Sequence, residues 1–225
     1  MSDKIIIFSH GFGVQKDNRG MFTDIAKVLP EFEHVMFGYN DFDDESNTMR
    51  VTPLDVQAKI LEEKIAEVKR GNPEASLYII AHSQGCIVTA LAGAKGFEKI
   101  IFLAPPTSLS GASKKIKEMM KRIGTTHLED GSVSYPRRDG STTIVGTDYL
   151  KSREGVDPVE AYNKLSEDND IVIVRATEDE VLDSVDLNEL SKDVKVIDLK
   201  ANHDFKEDAR DKLTTLIRDI LSVST

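Results

Sequence analysis

The stretch Leu77 to Ala92, LYIIAHSQGCIVTALA, constrains the chain more than any other. It opens with a continuous apolar, β-branched run (Leu77 to Ala81) and passes through His82, Ser83, Gln84 and Gly85. Apolar residues then resume at helical spacing (Cys86, Ile87, Val88, Ala90, Leu91). A continuous apolar run bounded by turn residues marks a strand buried on both faces, which requires a sheet covered by helices. Strand, sharp turn and helix in this order lift the Ser83 hydroxyl above the end of the strand. They also set the Gln84 N–H at the start of a helix, where partial positive charge collects. Ala81 precedes the turn and is small enough for strand and helix backbones to pass closely. Alone, a serine at such a turn also reads as a plain helix cap; the rest of the chain decides between the two.

Lys4 to Phe8 (KIIIF) is a second buried run, ending in His10-Gly11-Phe12-Gly13, where glycines let the backbone turn tightly and aim its N–H groups into a cleft. Helical spacing follows over Arg19 to Leu29, stopped by Pro30, and then a strand at His34 to Tyr39. Thr52-Pro53 opens a helix with an apolar stripe at Leu54, Ala58, Leu61, Ile65 and Val68, closed by Gly71-Asn72-Pro73. After the Ser83 segment come strands at Lys99 to Leu103, Asp170 to Val174 and Val194 to Leu199, a helical segment near Val185 to Leu190, and a closing helix carrying Leu213, Leu216, Ile217, Ile220 and Leu221. Strands alternating with helices imply right-handed crossovers and a parallel sheet, so the fold class is α/β, with residues 1–225 as a single domain.

Thr107 to Ser166 breaks that rhythm. A basic helix (Ser113 to Ile123) precedes a hairpin-like pair, Ser132 to Tyr135 and Ser141 to Val145, and weak helical character runs from Tyr149 to Leu165. This block reads as a cap inserted over the carboxyl ends of the strands. Asn40 to Asn47 (NDFDDESN) is acidic, but its spacing matches neither an EF-hand nor a histidine-containing metal site, and it reads as a solvated loop.

At 225 residues the chain suffices for one full core, and a net charge of −10 speaks against the concentrated basic face that nucleic acid needs. A single cysteine, Cys86, excludes an internal disulfide and reads as a buried small hydrophobe. The start MSDKIIIFSHG lacks the order of a signal peptide, and no apolar run has the length of a membrane span. The expected compartment is the cytoplasm.

Three residues after three different strands belong together: Ser83, Asp179 and His203. Open parallel sheets place their sites beyond the carboxyl ends of their strands, so these loops share an edge. An alkyl hydroxyl is a poor nucleophile at neutral pH; an imidazole must take its proton and a carboxylate must orient that imidazole. His203 is preferred because it alone lies in the last strand-to-helix loop. His10 and His82 flank the site at strand ends suited to packing or local hydrogen bonding, and His34 and His127 follow no apolar strand. The acid is chosen from a cluster. Asp179 stands two residues before Val181, which can anchor the loop in the core, while Glu178 and Asp183 stay open. The N–H groups of Phe12 and Gln84 are the candidate oxyanion donors. His10, Met119, Tyr135 and Tyr149 are candidate substrate contacts, with core packing as the other account of Met119 and the tyrosines.

HGFG (His10 to Gly13), AHSQG (Ala81 to Gly85), TEDEV (Thr177 to Val181) and NHDF (Asn202 to Phe205) together resemble the α/β-hydrolase superfamily. The HGF start, Lys16, Gly20-Met21-Phe22 and HSQG are most similar to small bacterial carboxylesterases that include cinnamoyl (feruloyl) esterases. The resemblance covers Lys4 to Leu103 and Ile171 to Leu221. It implies a central elbow strand, Ser83 as nucleophile, His203 as base, Asp179 as acid, and Phe12 and Gln84 as the oxyanion hole. The sheet would be a minimal six-stranded one in order 2-1-3-4-5-6, without the two amino-terminal antiparallel strands of the full fold. The arginine-glycine-histidine-glycine loop usual after the second strand is replaced by the acidic segment. The expected activity is hydrolysis of small-molecule carboxylic esters through an acyl-enzyme, without metal or cofactor. An amidase or peptidase, or an acyltransferase, would use the same parts, and a ligand-binding relative with a silent triad is the non-enzymatic alternative.

Overall fold

The apolar runs become the strands of a central sheet. The computed structural model describes residues 3–109, 124–137, 140–182 and 187–222. Its elements are, in chain order, β1 (Lys4–Ser9), α1 (Met21–Lys27), β2 (Glu33–Met36), β3 (Asp41–Asp43), β4 (Thr48–Val51), α2 (Leu54–Gly71), β5 (Ser76–His82), α3 (Gln84–Leu91) and β6 (Lys99–Leu103). They continue with β7 (Thr126–His127), β8 (Val133–Pro136), β9 (Thr142–Val145), α4 (Thr147–Ser152), α5 (Pro158–Ser166), β10 (Ile171–Ala176), β11 (Lys195–Leu199) and α6 (Asp208–Ser222).

Six strands form one sheet in the order β2-β1-β5-β6-β10-β11, every neighbouring pair parallel. Numbered among themselves along the chain, these strands run 2-1-3-4-5-6, the order that the family resemblance implies. Alternate residues of each strand face opposite layers. Ile5, Ile7, Ile79, Ile100 and Ile173 meet Leu61 and Ile65 of α2 and Ile87 of α3. Ile6, Phe8, Ile80, Ile101 and Val174 meet Phe22 and Ile25 of α1 and Leu213 and Ile217 of α6. Each such side chain contributes about 1.5–3 kcal/mol by leaving water, which is why these strands need apolar residues at every position. The register aligns Ser9 with Ala81, His82 with Leu103, and Ala176 with Leu199. The loops after β1, β5, β10 and β11 therefore emerge along one edge.

A second, five-stranded sheet has the order β3-β4-β9-β8-β7. Its β4–β9 pair is parallel and the rest antiparallel. The acidic segment Asn40 to Asn47 is thus more than a solvated loop: it supplies β3 and the turn into β4. In β4, Met49 and Val51 are buried while Arg50 is exposed, the alternation of a half-buried strand. The hairpin expected near Ser132 to Val145 forms β8 and β9 and gains β4 as a third partner.

Boundaries shift for identifiable reasons. Helix α1 begins only at Met21, because Asn18, Arg19 and Gly20 all have positive φ (50°, 58° and 82°). The helical stretch expected over Tyr149 to Leu165 is split at Gly155, with φ of 74°. Asp157 then caps a new helix by accepting from the N–H groups of Val159 and Glu160, with Pro158 in the first turn. The expected basic helix at Ser113 to Ile123 lies outside the described residues. No helix among the described residues is long and apolar enough to cross a membrane.

Candidate active site

Ser83 sits between β5 and α3 with φ 52° and ψ −123°, a conformation that costs an L-residue about 1–3 kcal/mol and persists only when its surroundings impose it. The surroundings do so. Its N–H donates to the Leu103 carbonyl at 2.9 Å, and its carbonyl accepts from the Cys86 N–H at 3.0 Å. Helix α3 presses against the end of β1 so closely that a Cβ on Gly85 would lie 2.1 Å from the Ser9 carbonyl oxygen; glycine is obligatory there. The Ser9 hydroxyl reinforces this crossing by donating to the Gly85 carbonyl at 2.9 Å. Cys86 is fully buried beneath the turn, where desolvation pushes its thiol up, as a structural cysteine requires.

His203 Nε2 lies 2.9 Å from Ser83 Oγ, and its Nδ1 lies 2.7 Å from Asp179 Oδ2. The side chains of His203 and Asp179 are 8% and 7% exposed. The other Asp179 oxygen, Oδ1, accepts from the N–H groups of Val181 and Leu182, each at 2.8 Å. Burial opposes ionisation of this carboxyl, but the His203 hydrogen bond and charge and the two backbone donors outweigh it, so Asp179 titrates below the ordinary carboxylate range. Of the other carboxylates in the cluster, Glu178 pairs with Lys200 at 3.5 Å, and Glu180 accepts from the His203 backbone N–H at 3.0 Å. Asp183 lies outside the described residues. Val181 is only half-buried, so the loop is held by the Asp179 carboxylate rather than by a valine in the core.

A buried relay fixes the histidine loop. Gly11 N–H donates to Asn18 Oδ1 at 3.1 Å, Asn18 Nδ2 donates to His82 Nδ1 at 2.9 Å, and His82 Nε2 donates to the His203 carbonyl at 3.0 Å. Burial, and then the neighbouring His203, pulls His82 down to about 3, so its ring stays neutral and keeps this direction of donation. Asn18 escaped the sequence reading; the signal was an asparagine ahead of Arg19-Gly20, the residue type besides glycine that best tolerates positive φ.

The sequence matches no protein-family model, and no curated protein matches it. Solved structures that superpose on the chain include Est1E of Butyrivibrio proteoclasticus, with TM-score 0.66 and 16% identity over 98% of this chain and 88% of that one. Est1E has also been solved with ferulic acid bound. An esterase of Pyrococcus furiosus superposes with TM-score 0.68 and 15% identity, covering 98% and 82% of the two chains. The α/β hydrolase GrgF of a Penicillium species superposes with TM-score 0.69 and 15% identity, covering 98% and 89%. The chain has the α/β-hydrolase fold.

In this α/β-hydrolase fold the loop after β1 comes beside the elbow: a Cβ on Gly11 would stand 3.3 Å from Ser83 Cβ. Phe12, half-buried, follows it. Gln84 opens α3, where first-turn N–H groups lack intrahelical partners. His10, expected among the substrate contacts, is instead sealed in. Its Nδ1 donates to the Gly11 carbonyl at 2.9 Å and its Nε2 accepts from the Tyr39 N–H at 3.0 Å. Burial pulls it down to about 4. Tyr135 is buried, with the Arg137 guanidinium 6.0 Å from its ring centre. Tyr149 is buried with its hydroxyl on the Gln84 side chain. Met119 lies outside the described residues. Among the described residues no three His, Cys, Asp or Glu side chains gather as a metal site would need.

Proposed function

We propose that the chain is a serine hydrolase that cleaves carboxylic esters through an acyl-enzyme. The observation that carries this reading is the continuous hydrogen-bonded line Ser83 Oγ, His203 Nε2, His203 Nδ1, Asp179 Oδ2, at 2.9 and 2.7 Å, beneath a strained elbow. In the reaction Ser83 Oγ attacks the ester carbonyl carbon while His203 Nε2 takes its proton, and Asp179 stabilises the imidazolium. The N–H groups of Phe12 and Gln84 hold the oxyanion. His203 then passes the proton to the departing alcohol, and the same groups activate the water that releases the acid. Esters are favoured over amides because Est1E's ferulic acid complex and the Pyrococcus protein, named an esterase, share this fold. Residues 124–137 and 140–152, with β3 and β4, act as the cap that shapes the substrate pocket, while Tyr162 of α5 packs against Phe102 in the core of the central sheet.

Steady-state turnover of p-nitrophenyl acetate tests the roles. Ser83→Ala and His203→Ala are each expected to lower kcat/KM by at least about a thousandfold. Retention of more than about a tenth of the activity by either variant contradicts the assignment, and a matched anilide assayed alongside separates esterase from amidase.

A further inference from the structure

Tyr149 touches both residues that carry the proposed oxyanion donors. Its ring packs against Phe12 at 5.4 Å between centres, tilted by 48°. Its hydroxyl donates to Gln84 Oε1 at 2.5 Å. The chain of donors continues in one direction: Gln84 Nε2 to Gln57 Oε1 at 2.9 Å, then Gln57 Nε2 to the Thr52 carbonyl. Tyr149, Gln84 and Gln57 are only 3%, 7% and 1% exposed, so each of these groups depends on protein partners. Helix α4, which carries Tyr149, is bolted down at its other end. The Ser152 hydroxyl donates to the Tyr149 carbonyl at 2.8 Å and accepts from the Leu54 N–H, the first of α2, at 2.9 Å.

A second strut comes from the same inserted stretch. Arg137 Nη2 donates to the Gly13 carbonyl at 2.6 Å, and Gly13 has a positive φ of 57°. The residue directly after Phe12 is thereby tied to the inserted stretch by its carbonyl. Nothing in these contacts leaves the Tyr149 hydroxyl available to a substrate: it is committed to Gln84, and burial keeps the phenol protonated.

We propose that Tyr149 is a positioning residue that locks the Phe12 and Gln84 amides into an oxyanion hole, so that the hole is complete only when α4 is docked on α2. The proposal rests on the ester-hydrolase reading above. Residues 147–152 then do more than roof the pocket: they couple the cap to the reaction. An oxyanion donor is worth about a hundredfold to a thousandfold in kcat, and small misplacements forfeit a large part of that.

The test compares wild type, Tyr149→Phe, Gln84→Met and the double variant. It reads kcat and KM for p-nitrophenyl acetate, inhibition by a trifluoromethyl ketone, and the pH profile of kcat/KM, at a temperature where melting curves show each protein folded. Tyr149→Phe keeps the ring and removes the hydroxyl. It is expected to lower kcat about tenfold with KM within about twofold, to weaken the ketone by a similar factor, and to leave the pH midpoint unmoved, since the His203–Asp179 pair is untouched. The double variant is expected to be no worse than Gln84→Met alone, because Gln84→Met already removes the bond that Tyr149→Phe breaks, along with the one to Gln57. Unchanged kcat, a rise in KM alone, or fully additive losses would each overturn the proposal. Where Tyr149→Phe does not fold, Gln84→Met breaks the same bond from the other side and is judged by the same kcat and ketone criteria. Ester turnover that survives Ser83→Ala defeats the parent reading; a Ser83-dependent wild type with an unaltered Tyr149→Phe defeats this proposal alone.

Discussion

Asp179 uses its two carboxylate oxygens for different purposes. Oδ1 closes its own loop on the N–H groups of Val181 and Leu182, and Oδ2 faces His203 Nδ1. This separation makes Asp179→Asn informative. The amide oxygen can still accept from both loop N–H groups, so the loop keeps its shape. The amide nitrogen would then offer His203 Nδ1 a proton and force the tautomer that carries hydrogen on Nε2, facing Ser83. That tautomer cannot accept the serine proton. We expect kcat to fall by about a thousandfold or more in an ester assay, with a melting temperature near that of wild type; a Glu180→Gln variant that loses as much while Asp179→Asn stays active would move the acid elsewhere. The sequence preferred Asp179 for its spacing from Val181, but Val181 is only half-buried, so that spacing is not what sets Asp179 apart from its neighbouring carboxylates. The choice depends on which one folds back on its own backbone, a property of the loop and not of the residue type. Glu180, next to Asp179 in sequence, accepts instead from the His203 N–H.

The elements around the site are joined by neutral histidines. His10 ties the β1 loop to Tyr39, and His82 ties the end of β5 to Asn18 and to the His203 loop. Burial holds them at about 4 and about 3, against an ordinary 6.5. In the unfolded chain both take up a proton as pH falls through 6.5, while in the folded protein neither does until much lower. The unfolded state therefore binds more protons in between, and stability falls as pH drops from 6.5 towards 4, at about 1.4 kcal/mol per pH unit for each histidine. Depressed carboxylates such as Asp179 add to the loss only below their ordinary range near 3.8. Urea unfolding at pH 7 and pH 5 checks this: a clear drop at pH 5 is expected, reduced in His82→Gln, whereas equal stabilities would contradict it. From sequence these histidines read as packed or locally bonded, which caught their burial but missed their reach. The long strands were legible because β1, β5, β6 and β10 are apolar on both faces. The short β3 and β4 were not, because β4 finds its partner β9 in a distant part of the chain and its alternation at Met49 and Val51 spans too few residues to stand out.

Across the whole molecule, two departures from the strand-helix rhythm come together in one sheet. The segment after β2 and the stretch between β6 and β10 pair as β4 with β9, and they reach the site through Tyr149 and Arg137. The parallel sheet brings Ser83, Asp179 and His203 to one edge from loops after β5, β10 and β11, which the order of the strands already implied. Of the second sheet only the β8–β9 hairpin was implied; the β4–β9 pairing that joins the two segments was not, because parallel pairing between two insertions leaves no periodic mark in either. What the whole assembly is built to do, on this account, is hold one serine hydroxyl ready to attack. The most direct measurement is labelling of the purified protein with a fluorophosphonate, followed by peptide mass spectrometry to locate the adduct. A single adduct on Ser83 that is lost in His203→Ala is expected; no adduct on the wild-type protein, or one on another residue, would overturn the assignment of Ser83 as nucleophile.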